Sequence, residues 1–110
     1  MSKESVLDAV FVFGEPIGET EVYPSLDVAS KALEPWQLEE VFAVDGRGSR
    51  VLLRHHGSKV FAEPTEERFD AARLRQRAED ELRALGVVSA PEAGPLDLLQ
   101  ALVGHLGYAR

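Results

Sequence analysis

The pattern of hydrophobic and polar positions changes along the chain from strand-like runs to helical spacing. In SVLDAVFVF, residues 5–13, β-branched and aromatic residues dominate and Gly14 ends the run, which predicts a strand. Alternation places one set of side chains on a common side of that strand: Leu7, Ala9, Phe11 and Phe13. The following GEPIGETEVY predicts a turn and then a short edge strand over residues 19–23.

A short helix is predicted next. Ser25 has the chemistry of an N-cap, and Leu26, Ala29 and Leu33 recur at helical spacing. Pro35 disfavours helical geometry at the residue before it, so this helix should end near Leu33.

The middle of the chain predicts a three-stranded meander. EEVFAVD (residues 39–45) and SRVLLRHH (residues 49–56) flank the turn sequence DGRG, and Gly57-Ser58 joins the second strand to a third at residues 59–63. In that register His56 lies opposite Lys59 and Leu53 opposite Ala62. One face of the meander is then mainly apolar and the other mainly polar.

Two helices are predicted in the last part of the chain. Thr65 is the predicted N-cap of a long helix over residues 66–85, with Gly86 as its stop. The apolar stripe of this helix is Ala71, Leu74, Ala78, Leu82 and Leu85. Pro95 begins a final helix, PLDLLQALVGHLG, whose leucines are spread too widely for one narrow stripe, so it needs cover on more than one side.

This order of elements predicts an α+β fold. We expect one domain spanning residues 1–110, with an antiparallel sheet of about four strands in the order β-α-β-β-β-α-α and helices covering one face of the sheet. With 110 residues and 45% hydrophobic content, the chain is long enough to bury one core.

Negative charge is concentrated in the first part of the sequence. The net charge is −7. Residues 1–45 contain ten acidic side chains against Lys3 and Lys31, which gives −8, and the remaining residues contain nine acids against ten bases, which gives +1. Such a distribution disfavours direct contact with nucleic acid, and it either steers a basic protein partner or serves solubility alone.

The cysteine content and the apolar runs of the sequence bear on the cellular compartment. There are no cysteines, which fits a reducing cytoplasm, and we expect neither a signal peptide nor a membrane-spanning segment.

Catalytic, cofactor and metal sites are not predicted. His55 and His56 are adjacent in a strand, so they point to opposite faces and cannot hold one metal together. The DGRG turn lacks the spacing of a phosphate-binding loop, and the serines have no nucleophile-elbow context.

Trp36, in LEPWQLEE, allows two interpretations. It either plugs the edge of the core or a hinge, or it is an exposed aromatic anchor among Glu34, Glu39 and Glu40 that binds a basic protein. A different hypothesis is a homo-oligomer, such as a homodimer, that uses the final helix through Leu98, Leu99, Leu102 and Leu106. A further alternative is a small enzyme or ligand-binding domain with a pocket between sheet and helices, to which Arg54 or His55 would contribute.

One stretch carries a resemblance. Residues 22–48, VYPSLDVASKALEPWQLEEVFAVDGRG, resemble small acidic actinobacterial proteins in which YPS begins a helix, LEP follows it and a strand ends in DGRG. Proteins of this size, acidity and α+β build are similar to the immunity proteins of bacterial toxin systems. The resemblance implies a non-enzymatic protein that neutralises a basic toxin, and it carries over no functional residue.

Overall fold

Five antiparallel strands form one open sheet, in the order β2-β1-β3-β4-β5, in the computed structural model, which describes residues 6–109. The strands are β1 (Val10–Gly14), β2 (Thr20–Tyr23), β3 (Val41–Asp45), β4 (Ser49–His56) and β5 (Lys59–Arg68). The helices are α1 (Leu26–Ala32), α2 (Ala71–Ala84) and α3 (Pro95–Leu106), and Val6–Asp8 and Pro35–Glu40 form 3-10 helices. The α+β class with an antiparallel sheet is confirmed. The sheet has five strands where about four were predicted, because the edge segment predicted over residues 19–23 does form a strand, β2.

Both faces of the sheet are covered, which corrects the prediction of a single covered face. Phe11 and Phe13 of β1 pack with α2 and α3 on one side. Val10 and Val12 of the same strand pack with α1 on the other. All residues of β1 are buried, because this strand lies between β2 and β3 and carries a core on each face.

The first strand begins later than predicted. Ser5 lies outside the described residues, Leu7 belongs to the 3-10 helix Val6–Asp8, and its side chain is exposed. The predicted strand over residues 39–45 is likewise shorter, because Glu39 and Glu40 complete the second 3-10 helix before β3 starts at Val41.

The predicted start and end of α1 are confirmed. Ser25 is its N-cap, and the Ser25 hydroxyl accepts a hydrogen bond from the Val28 N–H at 3.2 Å. The helix ends at Ala32 with Leu33 as C-cap. Ser30 fastens α1 to the sheet, because its Oγ accepts a hydrogen bond from the Ala62 N–H of β5 at 2.9 Å.

The register of the β4–β5 hairpin is also confirmed. His56 pairs with Lys59 and Leu53 with Ala62 around the two-residue turn, where Gly57 has a φ of +61° that favours glycine. The strand continues beyond the predicted residue 63 to Arg68 and includes Pro64. Proline is tolerated there because β5 is an edge strand, so one side of its backbone has no strand partner. The Ala62 N–H points to that side, toward Ser30, and the nitrogen of Pro64, two residues later, has the same orientation.

The long helix starts at Ala71, not at Glu66, so the prediction of Thr65 as its N-cap is wrong. Residues 59–68 pair with β4, and the Thr65 hydroxyl donates to the Arg50 carbonyl at 2.6 Å instead of capping a helix. Asp70 is the N-cap, and its Oδ1 accepts from the Arg73 N–H at 3.1 Å. Of the predicted stripe, Leu74, Ala78 and Leu82 are buried, whereas Ala71 and Leu85 are exposed.

Helix α3 begins at Pro95 as predicted, but it is not a free apolar surface. Leu98, Leu99 and Leu102 are buried in the core that α2 and α3 form with the sheet. Only Leu106 of the proposed oligomer interface is exposed. The chain itself covers the other three side chains, so Leu106 is the residue of that set that a second copy could contact directly, and self-association stays a prediction. No helix among residues 6–109 is both long and apolar enough to cross a bilayer.

Candidate functional site

Trp36 lies on a short helical segment at one end of the sheet. The 3-10 helix Pro35–Glu40, called the Trp36 segment below, begins with a proline whose φ is preset, and the Glu34 N–H donates to the Gln37 side-chain oxygen at 2.8 Å. Leu38 turns inward and packs with the core on the α1 side. The Trp36 side chain is 68% exposed, so its interpretation as a core plug is wrong.

Beside Trp36 is an open cleft of about 490 Å³, called the acidic cleft below. Apolar side chains of Val12, Leu33 and Val41 line part of it. The charged residues in its lining are all carboxylates: Glu15, Glu19, Glu21 and Glu40. No lysine, arginine or histidine is among the described residues that line the cleft. The cleft therefore combines an apolar surface, an exposed indole and a uniform negative charge.

The glutamates around this cleft differ from most other carboxylates of residues 6–109 in forming no ion pair. Within residues 6–109, ion pairs involve the carboxylates of Asp8, Asp27, Glu63, Glu67, Glu79, Asp80 and Glu81. None involves the carboxylates of the cleft and the Trp36 segment: Glu15, Glu19, Glu21, Glu34, Glu39 and Glu40. Among the described residues, no ion pair thus neutralises these carboxylates.

Strand pairing brings the separate parts of the site together. Gly14 at the end of β1 pairs with Val41 at the start of β3, so the β1–β2 loop and the Trp36 segment meet at the same sheet end. The loop is narrow, and the Gly14 N–H donates to the Glu19 carbonyl at 2.7 Å. A Cβ on residue 14 would lie 2.5 Å from that oxygen, which explains the glycine.

A buried carboxylate holds the loop from the opposite side of the sheet. Glu81 of α2 is 3% exposed, and it accepts hydrogen bonds from the Thr20 hydroxyl at 2.6 Å and from the Gly18 N–H at 3.0 Å. Arg77 forms an ion pair with Glu81 at 2.7 Å and donates to the Gly14 carbonyl. Because Glu81 is fully partnered, we assign it to positioning of the loop that carries Glu15 and Glu19.

Tyr23 orients another carboxylate of the cleft. Its hydroxyl donates to the Glu21 side chain at 2.9 Å. Burial is the largest cause that raises the pKa of Tyr23 well above its ordinary value, and this hydrogen bond and the negative charge of Glu21 raise it further. The phenol therefore stays protonated and remains a donor to Glu21 at neutral pH.

A second, smaller cleft of about 270 Å³ adjoins the first around the end of the sheet. The two clefts share Gly14, Glu15, Glu40 and Val41. The second cleft also contains Glu39 and two basic residues, Arg73 and Arg77. The uniformly negative region thus ends at this boundary.

The structure therefore brings together some of the predicted site residues. Trp36 and Glu40 line the acidic cleft, Glu39 lines the adjoining one, and Glu34 is exposed just before the Trp36 segment. Sequence reasoning missed Glu15, Glu19 and Glu21 because GEPIGETEVY predicts a turn and a short edge strand without indicating which strand this edge pairs with. The predicted edge strand was the feature that could have located Glu21 in the site, because pairing of β2 with β1 places Glu21 opposite Val12.

Other candidates lie away from this cleft. His55 and His56 are exposed beside the β4–β5 turn, and neither His55 nor Arg54 lines the acidic cleft. Within the DGRG turn, Asp45 Oδ1 accepts hydrogen bonds from the Arg47 and Ser49 N–H groups, which is ordinary turn chemistry. In residues 6–109, no group of three or more acidic or histidine side chains is arranged to hold a metal ion.

The chemistry available in the acidic cleft is that of cation binding. Thr20 supplies the only hydroxyl among the described residues of its lining, and that hydroxyl is already bonded to Glu81.

Comparison of the chain with family models, with curated proteins and with solved structures gave no match.

Proposed function

We propose that this protein is a non-enzymatic binding domain whose acidic cleft receives a basic partner protein. The observation that carries the proposal is the exposed Trp36 on the rim of a cleft whose charged side chains are all unpaired carboxylates. Exposed tryptophans are frequent binding hot spots, and complementary charge accelerates association with the correct partner.

The resemblance of residues 22–48 supports a more specific form of this proposal. That stretch contains the Trp36 segment and resembles small acidic actinobacterial proteins, and proteins of this size, acidity and α+β build are similar to immunity proteins. In this form the partner is a toxin with a basic face, and the domain neutralises it by covering that face.

The test is capture of partners from the native cell lysate at low and high salt, using wild-type protein and two cleft variants. Trp36→Ala should weaken the complex by about 2 kcal/mol or more, which is more than tenfold in Kd. Glu40→Lys should slow association because it reverses one charge of the cleft. Binding kinetics of the captured protein, measured as a function of salt, give both numbers.

Glu92→Lys is the matched control. Glu92 is exposed in the connection between α2 and α3, so this variant makes the same change in net charge far from the cleft in sequence and outside its lining. A partner that binds Glu92→Lys normally and loses affinity for Trp36→Ala and Glu40→Lys agrees with the proposal. Association that ignores salt and all three substitutions would contradict it.

A small cationic ligand is the alternative occupant, because the cleft volume lies within the range of small-molecule sites. A thermal-shift screen of polyamines and other small cations distinguishes the two. Stabilisation by such a compound, together with no captured protein, would replace the protein partner with a small molecule.

A further inference from the structure

Resting on the proposed function, we infer that the acidic cleft is a receptor for an arginine side chain of the partner. The guanidinium would lie on the face of Trp36 and bind the carboxylates of the cleft, while its aliphatic stem would cover the apolar lining. The proposed function alone does not say which type of partner residue enters the cleft, and this inference assigns that residue as arginine.

The first argument is the state of the Trp36 ring. The chain uses its own arginines over aromatic rings elsewhere, with Arg50 and Arg73 each 5.4 Å from the Phe69 centroid and Arg77 5.4 Å from that of Phe13. Among the described residues, no cation lies over Trp36, the ring type that binds cations best. Its ring is therefore free to accept a cation from outside.

The second argument is the apolar part of the cleft. Val12 and Leu33 form the buried floor of the cleft, and Pro16 and Val41, which are exposed and partly exposed, add accessible apolar surface beside the carboxylates. A side chain that enters this space must carry both an apolar stem and a charged end. Arginine and lysine both do, and a metal ion or an ammonium ion alone does not.

The third argument favours arginine over lysine. The carboxylates of the cleft come from three parts of the chain, namely the β1–β2 loop, β2 and the Trp36 segment. A guanidinium presents five donors in one plane, so it can bind carboxylates on two sides while its face stacks on the indole. An ammonium is a strongly hydrated point charge that gains less from the ring.

The experiment uses the single tryptophan as its reporter. Because the chain has one Trp, its indole N–H gives one signal in a ¹H–¹⁵N spectrum of the full chain. N-acetyl-L-arginine amide should shift that signal in a saturable way at millimolar concentration. N-acetyl-L-citrulline amide, which has nearly the same shape and no charge, should leave it unchanged, and N-acetyl-L-lysine amide should bind several-fold more weakly.

Variants show whether the carboxylates are responsible. Glu19→Gln and Glu40→Gln should each weaken arginine amide binding several-fold, while Glu92→Gln, outside the cleft, should not change it. Equal shifts with the arginine and citrulline amides, or no shift with the arginine amide, would overturn the inference. If a basic protein still binds in a Trp36-dependent way in that case, the proposed function stands and only the arginine assignment falls.

Discussion

At the scale of single residues, Glu81 has the role that is least visible in the sequence. It follows Glu79 and Asp80 in a charged run of α2, which has the composition of a solvated helix face. In the structure it is buried and bonded to Arg77, Thr20 and Gly18. A helix turns by about 100° per residue, so neighbouring acids point in different directions and only tertiary contacts decide which one is buried.

Replacement of Glu81 should therefore be costly. Glu81→Ala leaves the Arg77 guanidinium, which is 14% exposed, without its ion-pair partner, and we expect a loss of about 3–5 kcal/mol in the free energy of unfolding. Asp80→Ala is the control, because Asp80 is 25% exposed and should cost less than about 1 kcal/mol. Urea denaturation measures both, and similar losses for the two variants would contradict the buried clamp.

At the scale of elements, the start of α2 shows how local signals compete. Thr65 and Asp70 both have N-cap chemistry, and Glu66 and Glu67 suit a first helical turn. The structure selects Asp70 because residues 59–68 gain a strand partner in β4. The stabilisation from pairing with β4 depends on residues far from Thr65 in the sequence, so the local pattern around Thr65 does not indicate it.

Two cap substitutions test this assignment. Asp70→Ala removes the acceptor of the Arg73 N–H and should destabilise the protein by about 1 kcal/mol through fraying of α2. Thr65→Ala should leave the helical circular dichroism signal unchanged, because the Thr65 hydroxyl donates to the Arg50 carbonyl within the sheet. A loss of helix in Thr65→Ala alone would contradict the observed boundary.

Other elements were predictable because their signals are short-range. The register of β4 and β5 follows from a two-residue turn and a period of two, and the N-cap of α1 follows from Ser25 and the spacing behind it. The acidic cleft was predictable only in part. Trp36 and its neighbouring glutamates are adjacent in sequence, whereas Glu15, Glu19 and Glu21 join them only after β1 pairs with β3.

At the scale of the whole molecule, β1 contributes side chains to both cores, so we expect the described fold to unfold as one cooperative unit. Leu99→Ala should cost about 2–5 kcal/mol, because this side chain is completely buried between α3 and the sheet. Since the core on the α1 side shares β1, thermal unfolding followed by circular dichroism and by Trp36 fluorescence should shift together. Leu106→Ala, at an exposed position, should have a small effect. Separate transitions for the two probes would contradict a single unit.

The strand order also has a consequence for how the site forms during folding. The pairs β1–β2, β3–β4 and β4–β5 are made by neighbouring strands, whereas β1–β3 joins residues far apart in the chain. Closing this contact bears the largest loop entropy in the sheet. The loop that it closes runs from Glu15 to Glu40 and carries all four glutamates of the cleft. We therefore expect the cleft to be absent from an isolated peptide of that loop and to be completed only when the sheet closes.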